Sequence, residues 1–164
     1  MRITATRRLQ YAIGHRVMRH ESKCRHLHGH NFVFFLTAEA FGVADSDGEP
    51  LLQDELGRVI DFGVLKARLG GWIEEHWDHG FVVHEKDEAV IEAIRAFEAA
   101  EEYTRGREAP FRQKGFRLPY NPTAENLARF LLEVVGPVEL AGTGVRLIRV
   151  QVHETENGIA EATL

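Results

Sequence analysis

Four segments of the chain have the alternation of apolar and polar side chains, or the aromatic and β-branched composition, that is typical of β-strands. They are residues 2–13, 30–41, 145–154 and 159–164. The second segment, HNFVFFLTAEAF, predicts a strand most clearly. A turn sequence at residues 155–158, TENG, separates the last two segments and predicts that they form a hairpin.

Apolar residues at helical spacing predict helices in the middle of the chain. The first helix begins at Asp61, whose side chain can cap its N-terminus. A surface helix is predicted over residues 87–105, and a loop over residues 106–120. A further helix has Thr123 as its N-cap and is predicted to end at Gly136-Pro137.

The elements therefore run from strands through helices to strands, in the order ββααββ. This order predicts an α+β fold in which a four-stranded antiparallel sheet has its helices packed on one face. A chain of 164 residues can bury a core without disulfides, and no linker or repeat divides it. We therefore expect one domain over residues 1–164.

Charge, hydrophobicity and cysteine content bear on binding partners and on cellular compartment. The formal net charge of −5 gives no reason to expect binding to nucleic acid or membranes. No apolar run approaches the roughly 18 residues that a membrane helix needs. A single cysteine cannot form an intrachain disulfide and suits a reducing compartment, so we expect a cytoplasmic protein.

Three histidines have the spacing of a metal site. His28 and His30 are two residues apart, so on a strand both imidazoles lie on the same face. His15 can supply a third nitrogen from a neighbouring strand, because the intervening residues leave room for a loop and a return. A catalytic zinc needs three such ligands and one open position. His26 has the same spacing to His28, so its part in the site stays open.

Two further features predict reactive groups. Cys24 lies between Lys23 and Arg25 in a polar segment, where neighbouring cations favour the thiolate over the inert thiol of a core cysteine. Asp78 precedes His79, and a carboxylate next to an imidazole can orient the ring and raise its basicity. The dipeptide alone is weak evidence, because adjacent side chains need not point at one another.

Glu154 stands at the end of a hydrophobic strand. A carboxylate there can accept two hydrogen bonds from the paired N–H groups of a guanidine-like heterocycle. From the residues alone, a solvated or capping carboxylate is the simpler interpretation.

Six motifs, in order along the chain, resemble those of one enzyme family. They are Gly14-His15, KCRHLHGH at residues 23–30, Ile60-Asp61-Phe62 with Leu65-Lys66, Asp78-His79, NPTAEN at residues 121–126, and His153-Glu154-Thr155. Together they resemble the 6-pyruvoyl-tetrahydropterin synthase and 6-carboxytetrahydropterin synthase family. The resemblance implies the tunnelling fold, in which four-stranded sheets assemble into a barrel, commonly as a homohexamer.

The resemblance also implies a role for each candidate residue. The implied zinc ligands are His15, His28 and His30, the catalytic group is Cys24 with Asp78 and His79, and the pterin contacts are Glu154 and Thr123. Two departures from the family pattern stand out. Ile13-Gly14-His15 replaces the frequent Ala-Ala-His, and Gly80-Phe81 follows Asp78-His79 where the family usually has Lys or His and then Leu-Asn.

The implied reaction is the zinc-dependent conversion of 7,8-dihydroneopterin triphosphate to 6-carboxy-5,6,7,8-tetrahydropterin, with loss of acetaldehyde and triphosphate, in queuosine biosynthesis. The short spacing from Cys24 to His28 resembles the carboxy-forming bacterial enzymes. A 6-pyruvoyl-tetrahydropterin synthase, or a lyase for a related pterin, is the nearest alternative. A zinc-binding assembly protein without activity is the alternative from another class.

Overall fold

The computed structural model describes residues 1–49, 51–100 and 113–164. In these residues six strands form one sheet, in the order β4-β3-β1-β2-β5-β6. The strands are β1 (Ala5–His15), β2 (His28–Ala40), β3 (Gly80–His84), β4 (Gly115–Leu118), β5 (Val145–His153) and β6 (Ile159–Thr163). Strands β1, β2, β5 and β6 pair antiparallel, whereas β3 runs parallel to both β1 and β4.

Five α-helical segments accompany the sheet in the described residues. They are α1 (Phe62–Leu65), α2 (Gly71–His76), α3 (Glu88–Ala99), α4 (Ala124–Phe130) and α5 (Gly136–Glu139). A π-helical turn, Lys66–Gly70, joins α1 to α2, and another, Leu131–Val135, joins α4 to α5. None of the helices in this part of the chain is long and apolar enough to cross a membrane.

The α+β class is confirmed, but the prediction of four antiparallel strands in the order ββααββ is wrong for the whole sheet. The four predicted strands exist and are contiguous, and β3 and β4 extend the sheet beyond β1. Strand β3 lacks alternation because Val82 and Val83 are both buried, on opposite faces. Strand β4 has only four residues and lies in the segment that was predicted to be a loop.

The prediction that the helices share one face is also wrong. Val82 belongs to the main core, in which the sheet packs against the α1–α2 and α4–α5 helices. Val83 belongs to a second cluster formed with Val90, Ile91 and Ile94 of α3. Because neighbouring residues of a strand face opposite sides, α3 covers the other side of the sheet.

The predicted helix starts are confirmed. Asp61 accepts a hydrogen bond from the Gly63 N–H (2.7 Å), and Thr123 accepts one from the Asn126 N–H (3.3 Å). The predicted stop at Gly136-Pro137 is wrong, because proline is tolerated in a first helical turn and α5 continues there. The surface helix is present as α3, and residues 101–105 of its predicted range lie outside the described residues.

Candidate metal centre

Four side chains converge where β1 ends, β2 begins and β5 ends. They are His15, His28, His30 and Glu154, and each offers a ligand atom within 4.8 Å of the others. Imidazole nitrogens and carboxylate oxygens are the donors with which proteins bind zinc and related divalent metals. The arrangement can therefore hold a metal ion.

Strand register brings the three histidines together. His15 lies opposite His28, and Ile13 lies opposite His30, across the β1–β2 pair. Alternation along β2 then places both of its histidines on the face that also carries the buried Phe32. The spacing argument for these three residues thus agrees with the geometry.

Glu154 reaches the cluster from β5. Val33 pairs with His153, so Glu154 is the first residue beyond the β2–β5 ladder. Its Oε1 lies 3.1 Å from Nε2 of His30 and 3.8 Å from Nε2 of His15. The sequence predicted Glu154 as a substrate contact only, whereas the structure places its carboxylate among the possible metal ligands.

Backbone carbonyls orient two of the rings. His15 Nδ1 lies 2.8 Å from the Pro122 carbonyl, and His28 Nδ1 lies 2.7 Å from the His26 carbonyl. A carbonyl only accepts, so in each ring Nδ1 must carry the hydrogen and donate. In the neutral ring this leaves the lone pair on Nε2, the nitrogen that faces the cluster.

The cluster has the unfilled bonding capacity that a metal would satisfy. Nε2 of His15 and Nε2 of His30 are buried and lack a hydrogen-bond partner among the described residues. Glu154 Oε1, at 3.8 Å from the first and 3.1 Å from the second, forms a hydrogen bond with neither. Buried polar atoms are rarely left in this state. The residues present therefore fit a bound metal ion.

Burial lowers the pKa of His15 below its ordinary value, and the positive charge of protonated His28 or His30 would lower it further. The Pro122 carbonyl and the Glu154 carboxylate act in the opposite direction and are outweighed by burial. His15 therefore stays neutral to a lower pH than an exposed histidine, and its lone pair remains available to a metal.

Asp78 and His79 do interact, as the dipeptide suggested. Asp78 Oδ2 lies 2.8 Å from Nδ1 of His79, and Asp78 Oδ1 accepts from the Ala12 N–H at 3.0 Å. His79 has φ +54°, an uncommon left-handed conformation for a residue with a side chain, and its N–H donates to the Ala12 carbonyl at 2.8 Å. The carboxylate thus fixes the ring with Nε2 free.

The Asp78–His79 pair is separate from the histidine cluster within one chain. The His79 side chain is 80% exposed, and in the described residues no hydrogen bond, ion pair or ring contact links it to His15, His28 or His30. His79 and His30 both border a cleft of about 400 Å³, whose wall includes Gly14. The structure therefore does not bring all predicted catalytic residues together.

Cys24 is half-buried in a short 3-10 turn, Lys23–Arg25, in the loop that joins β1 to β2. Its carbonyl accepts from the Val17 N–H at 2.7 Å. The loop starts after His15 and ends before His28, and Cys24 is not one of the four residues of the cluster. His26 is exposed and contributes its carbonyl, not its ring, to the cluster geometry.

Comparison with known proteins identifies the family. The model of the 6-pyruvoyl tetrahydropterin synthase family matches residues 4–163. A 6-carboxy-5,6,7,8-tetrahydropterin synthase from Rickettsia bellii is 32% identical over 159 residues, which cover 97% of this chain and 99% of that protein. The chain belongs to the 6-pyruvoyl tetrahydropterin synthase family.

Solved structures of other proteins share the fold. The 6-pyruvoyl tetrahydropterin synthase of Caenorhabditis elegans superimposes with a TM-score of 0.55 at 18% identity, covering 99% of this chain and 95% of that one. An uncharacterised protein from Wolinella succinogenes reaches a TM-score of 0.71 at 22% identity, covering 98% and 97%.

The two departures from the family pattern are in contact in this chain. A Cβ built on Gly14 would lie 2.6 Å from two ring carbons of Phe81, so an alanine there would force the ring to move. Gly14 also pairs with Phe81 across β1 and β3. The glycine before His15 and the phenylalanine after His79 therefore accommodate each other.

Sequence reasoning missed the polar residues that hold the NPTAEN segment against the β1–β2 loop. The Asn121 side chain accepts from the Met18 N–H at 2.8 Å and donates to the Met18 carbonyl at 3.0 Å. Asn126 donates to the Asn121 carbonyl at 2.8 Å. One segment thus orients His15 through Pro122 and fixes the loop that carries Cys24.

An ion pair that also fixes the β1–β2 loop was not predicted from the sequence. Arg16 donates two hydrogen bonds to the Asp87 carboxylate, at 2.5 and 2.7 Å, and Asp87 is buried. Such bidentate pairs are geometrically specific. The pair links the residue after His15 to the residue that precedes α3. Only the resemblance of residues 121–126 to a family motif signalled any of these contacts in advance.

Proposed function

We propose that the protein is a zinc enzyme that converts 7,8-dihydroneopterin triphosphate and one water molecule to 6-carboxy-5,6,7,8-tetrahydropterin, acetaldehyde and triphosphate, in queuosine biosynthesis. The observation that carries the proposal is the convergence of three histidines and Glu154 in a chain whose relatives bear that enzyme's name. The four-residue step from Cys24 to His28 supports the carboxy product over the pyruvoyl product.

His15, His28 and His30 would hold the zinc through nitrogen ligands, a set that leaves a position for substrate. Zinc bound there would supply Lewis acidity toward the hydroxyl groups of the pterin side chain. The protein's own contribution is to keep the His15 and His28 rings in the tautomer that presents Nε2.

Glu154 and Thr123 would bind the pterin. The Glu154 carboxylate can accept from two N–H groups of the guanidine-like edge of the ring. The Thr123 hydroxyl already accepts from the Asn126 N–H, which leaves its own hydrogen free to donate to an acceptor on the substrate.

We expect Glu154→Gln to raise KM for the pterin roughly tenfold to hundredfold, because a hydrogen bond to a charged group contributes roughly 1.5–3 kcal/mol. Zinc content per chain should stay at the wild-type level if the carboxylate serves the substrate. Steady-state kinetics and elemental analysis measure the two effects separately. Glu156→Gln, at an exposed position two residues away, is the matched control. Loss of zinc in Glu154→Gln would instead assign the carboxylate to the metal.

Cys24 and the Asp78–His79 pair would transfer protons between the side-chain carbons and the pterin ring. Asp78 holds His79 so that Nε2 can accept or return a proton. Cys24 lies in the loop that joins His15 to His28, and as a thiolate it would serve as the second proton acceptor.

We further propose a homo-oligomer, with a hexamer as the expected form, in which His79 of one subunit completes the site around Cys24 of another. Two observations support this. The His79 side chain is 80% exposed, and it has no contact with the cluster within the described part of its own chain. Strands β4 and β6 are also the edges of the sheet formed by the described residues, where strands of other copies could pair.

Mass spectrometry of the products tests the reaction. Zinc-loaded protein incubated with 7,8-dihydroneopterin triphosphate should give the carboxypterin together with acetaldehyde. If the product is instead a pyruvoyl pterin, the site assignment stands and the reaction is that of the second candidate, the pyruvoyl-forming synthase. A folded, zinc-filled protein that gives no pterin product would refute the enzymatic proposal in favour of an assembly protein.

A further inference from the structure

The loop between β1 and β2, residues 16–27, is basic in a protein whose formal net charge is −5. Its four cations are Arg16, Arg19, Lys23 and Arg25, against a single acidic residue, Glu21. Positive charge concentrated in this way can be balanced by ion pairs within the chain or by an anionic ligand.

Internal ion pairs account for one of the four cations. Arg16 is paired with Asp87. Arg19, Lys23 and Arg25 are exposed, and in residues 1–49, 51–100 and 113–164 none of them has a carboxylate within ion-pair distance. Three positive charges in seven residues are therefore exposed, with no ion-pair partner in the described part of the chain. We call Arg19, Lys23 and Arg25 the basic patch.

The loop has a defined conformation. The Val17 N–H donates to the Cys24 carbonyl at 2.7 Å, and Asn121 holds both backbone groups of Met18. Arg19 has φ +66°, in the left-handed region that a side chain disfavours. These contacts fix the backbone of the loop that carries the three cations.

The loop that carries the basic patch connects two residues of the metal centre. The loop leaves from His15 and returns to His28, both members of the metal cluster. Arg25 is three residues from His28, so their Cα atoms are at most about 11 Å apart even in a fully extended chain. Lys23 and Arg25 also flank Cys24 directly. A ligand that reaches from the metal centre to Arg25 therefore needs only the length of a small molecule.

We propose that the basic patch is a subsite for the polyphosphate chain of the substrate. Arginine and lysine bind phosphate oxygens through charge-assisted hydrogen bonds. A pterin held at Glu154, with its side chain at the metal, would direct its triphosphate outward over this loop. The inference rests on the proposed function, because it assigns the anionic end of that substrate.

The test compares two variants that each remove three positive charges. The patch variant is R19Q/K23Q/R25Q, and the matched control is R68Q/R95Q/R117Q, at exposed positions elsewhere. Calorimetry measures the binding of inorganic tripolyphosphate to each zinc-loaded protein, with zinc content measured before and after titration. We expect the patch variant to lose roughly tenfold to hundredfold in affinity and the control less than about twofold. R19K/R25K, which keeps the charge, should retain most of the affinity.

Kinetics with the triphosphate substrate provide the second measurement, and the patch variant should show a raised KM. Equal tripolyphosphate affinity in the patch variant and the control would overturn the subsite, as would failure of the wild-type protein to bind tripolyphosphate. Wild-type protein that binds tripolyphosphate through the patch but makes no pterin product would refute the proposed function while the anion subsite stands. Failure of either proposal is thus distinguishable from failure of the other.

Discussion

Replacing His28 with alanine is expected to release the metal from the purified protein and to abolish turnover. His28 supplies one of the three nitrogens, and its ring is already oriented by the His26 carbonyl at 2.7 Å. Mutating a residue that hydrogen-bonds to a metal ligand typically lowers the metal affinity by roughly 10–100-fold. Loss of the ligand itself should therefore lower the affinity for zinc by more than about 100-fold, measured by competition with a chelator.

His26→Ala is the matched control for this prediction. The His26 ring is exposed and lies outside the cluster, and alanine keeps the carbonyl that orients His28. We expect this variant to keep wild-type zinc content. A fully zinc-loaded His28→Ala protein, or loss of zinc in His26→Ala, would show that the ligands have been assigned incorrectly.

The sequence predicted the strands whose hydrophobic pattern is periodic and missed those whose pattern is not. Strands β1, β2, β5 and β6 have one face in the main core, so their side chains alternate. Strand β3 is covered on both faces, by the main core through Val82 and by α3 through Val83. A short apolar run of this kind has no period of its own, and periodicity cannot distinguish it from a buried helical turn.

The metal centre could be predicted only where it depends on local spacing along one strand. The two-residue spacing of His28 and His30 fixes their shared face once a strand is assumed. The position of Glu154 beside the histidines depends on the register between β2 and β5. That register is set by pairing between residues more than 100 positions apart in the chain. The Pro122 carbonyl beside His15 is a backbone group, so side-chain identity gives no direct signal of its role.

The Asp78–His79 pair shows where sequence reasoning gives a residue pair but not its location. The two side chains interact at 2.8 Å, as their adjacency allowed. Under the proposal that each site is shared between subunits, their position relative to Cys24 would depend on how copies of the chain assemble, and no local sequence pattern encodes that assembly. The proposal that two subunits build each site therefore needs an experiment of its own.

Complementation between two inactive variants tests whether two subunits build each site. Cys24→Ala and His79→Ala should each lower turnover by at least about 100-fold, because each removes a proton-transfer group. Both should keep zinc, since neither residue belongs to the metal cluster. If a site takes Cys24 from one subunit and His79 from another, co-expression of the two variants should restore activity at roughly a quarter of the sites, because each residue is intact with even odds in a random mixture.

The double variant Cys24→Ala/His79→Ala is the control, because its co-expression with either single variant can build no intact site. Activity in that mixture would mean that the assay reports a contaminant or that one of the two residues is dispensable. Mixed oligomers of the two single variants that stay inactive, with zinc present and subunits shown to be mixed, would place Cys24 and His79 in the same chain's site. The exposed ring of His79 would then have to move toward its own chain's metal centre. Restored activity would instead account for that exposure directly, because the ring would face a neighbouring subunit and not solvent.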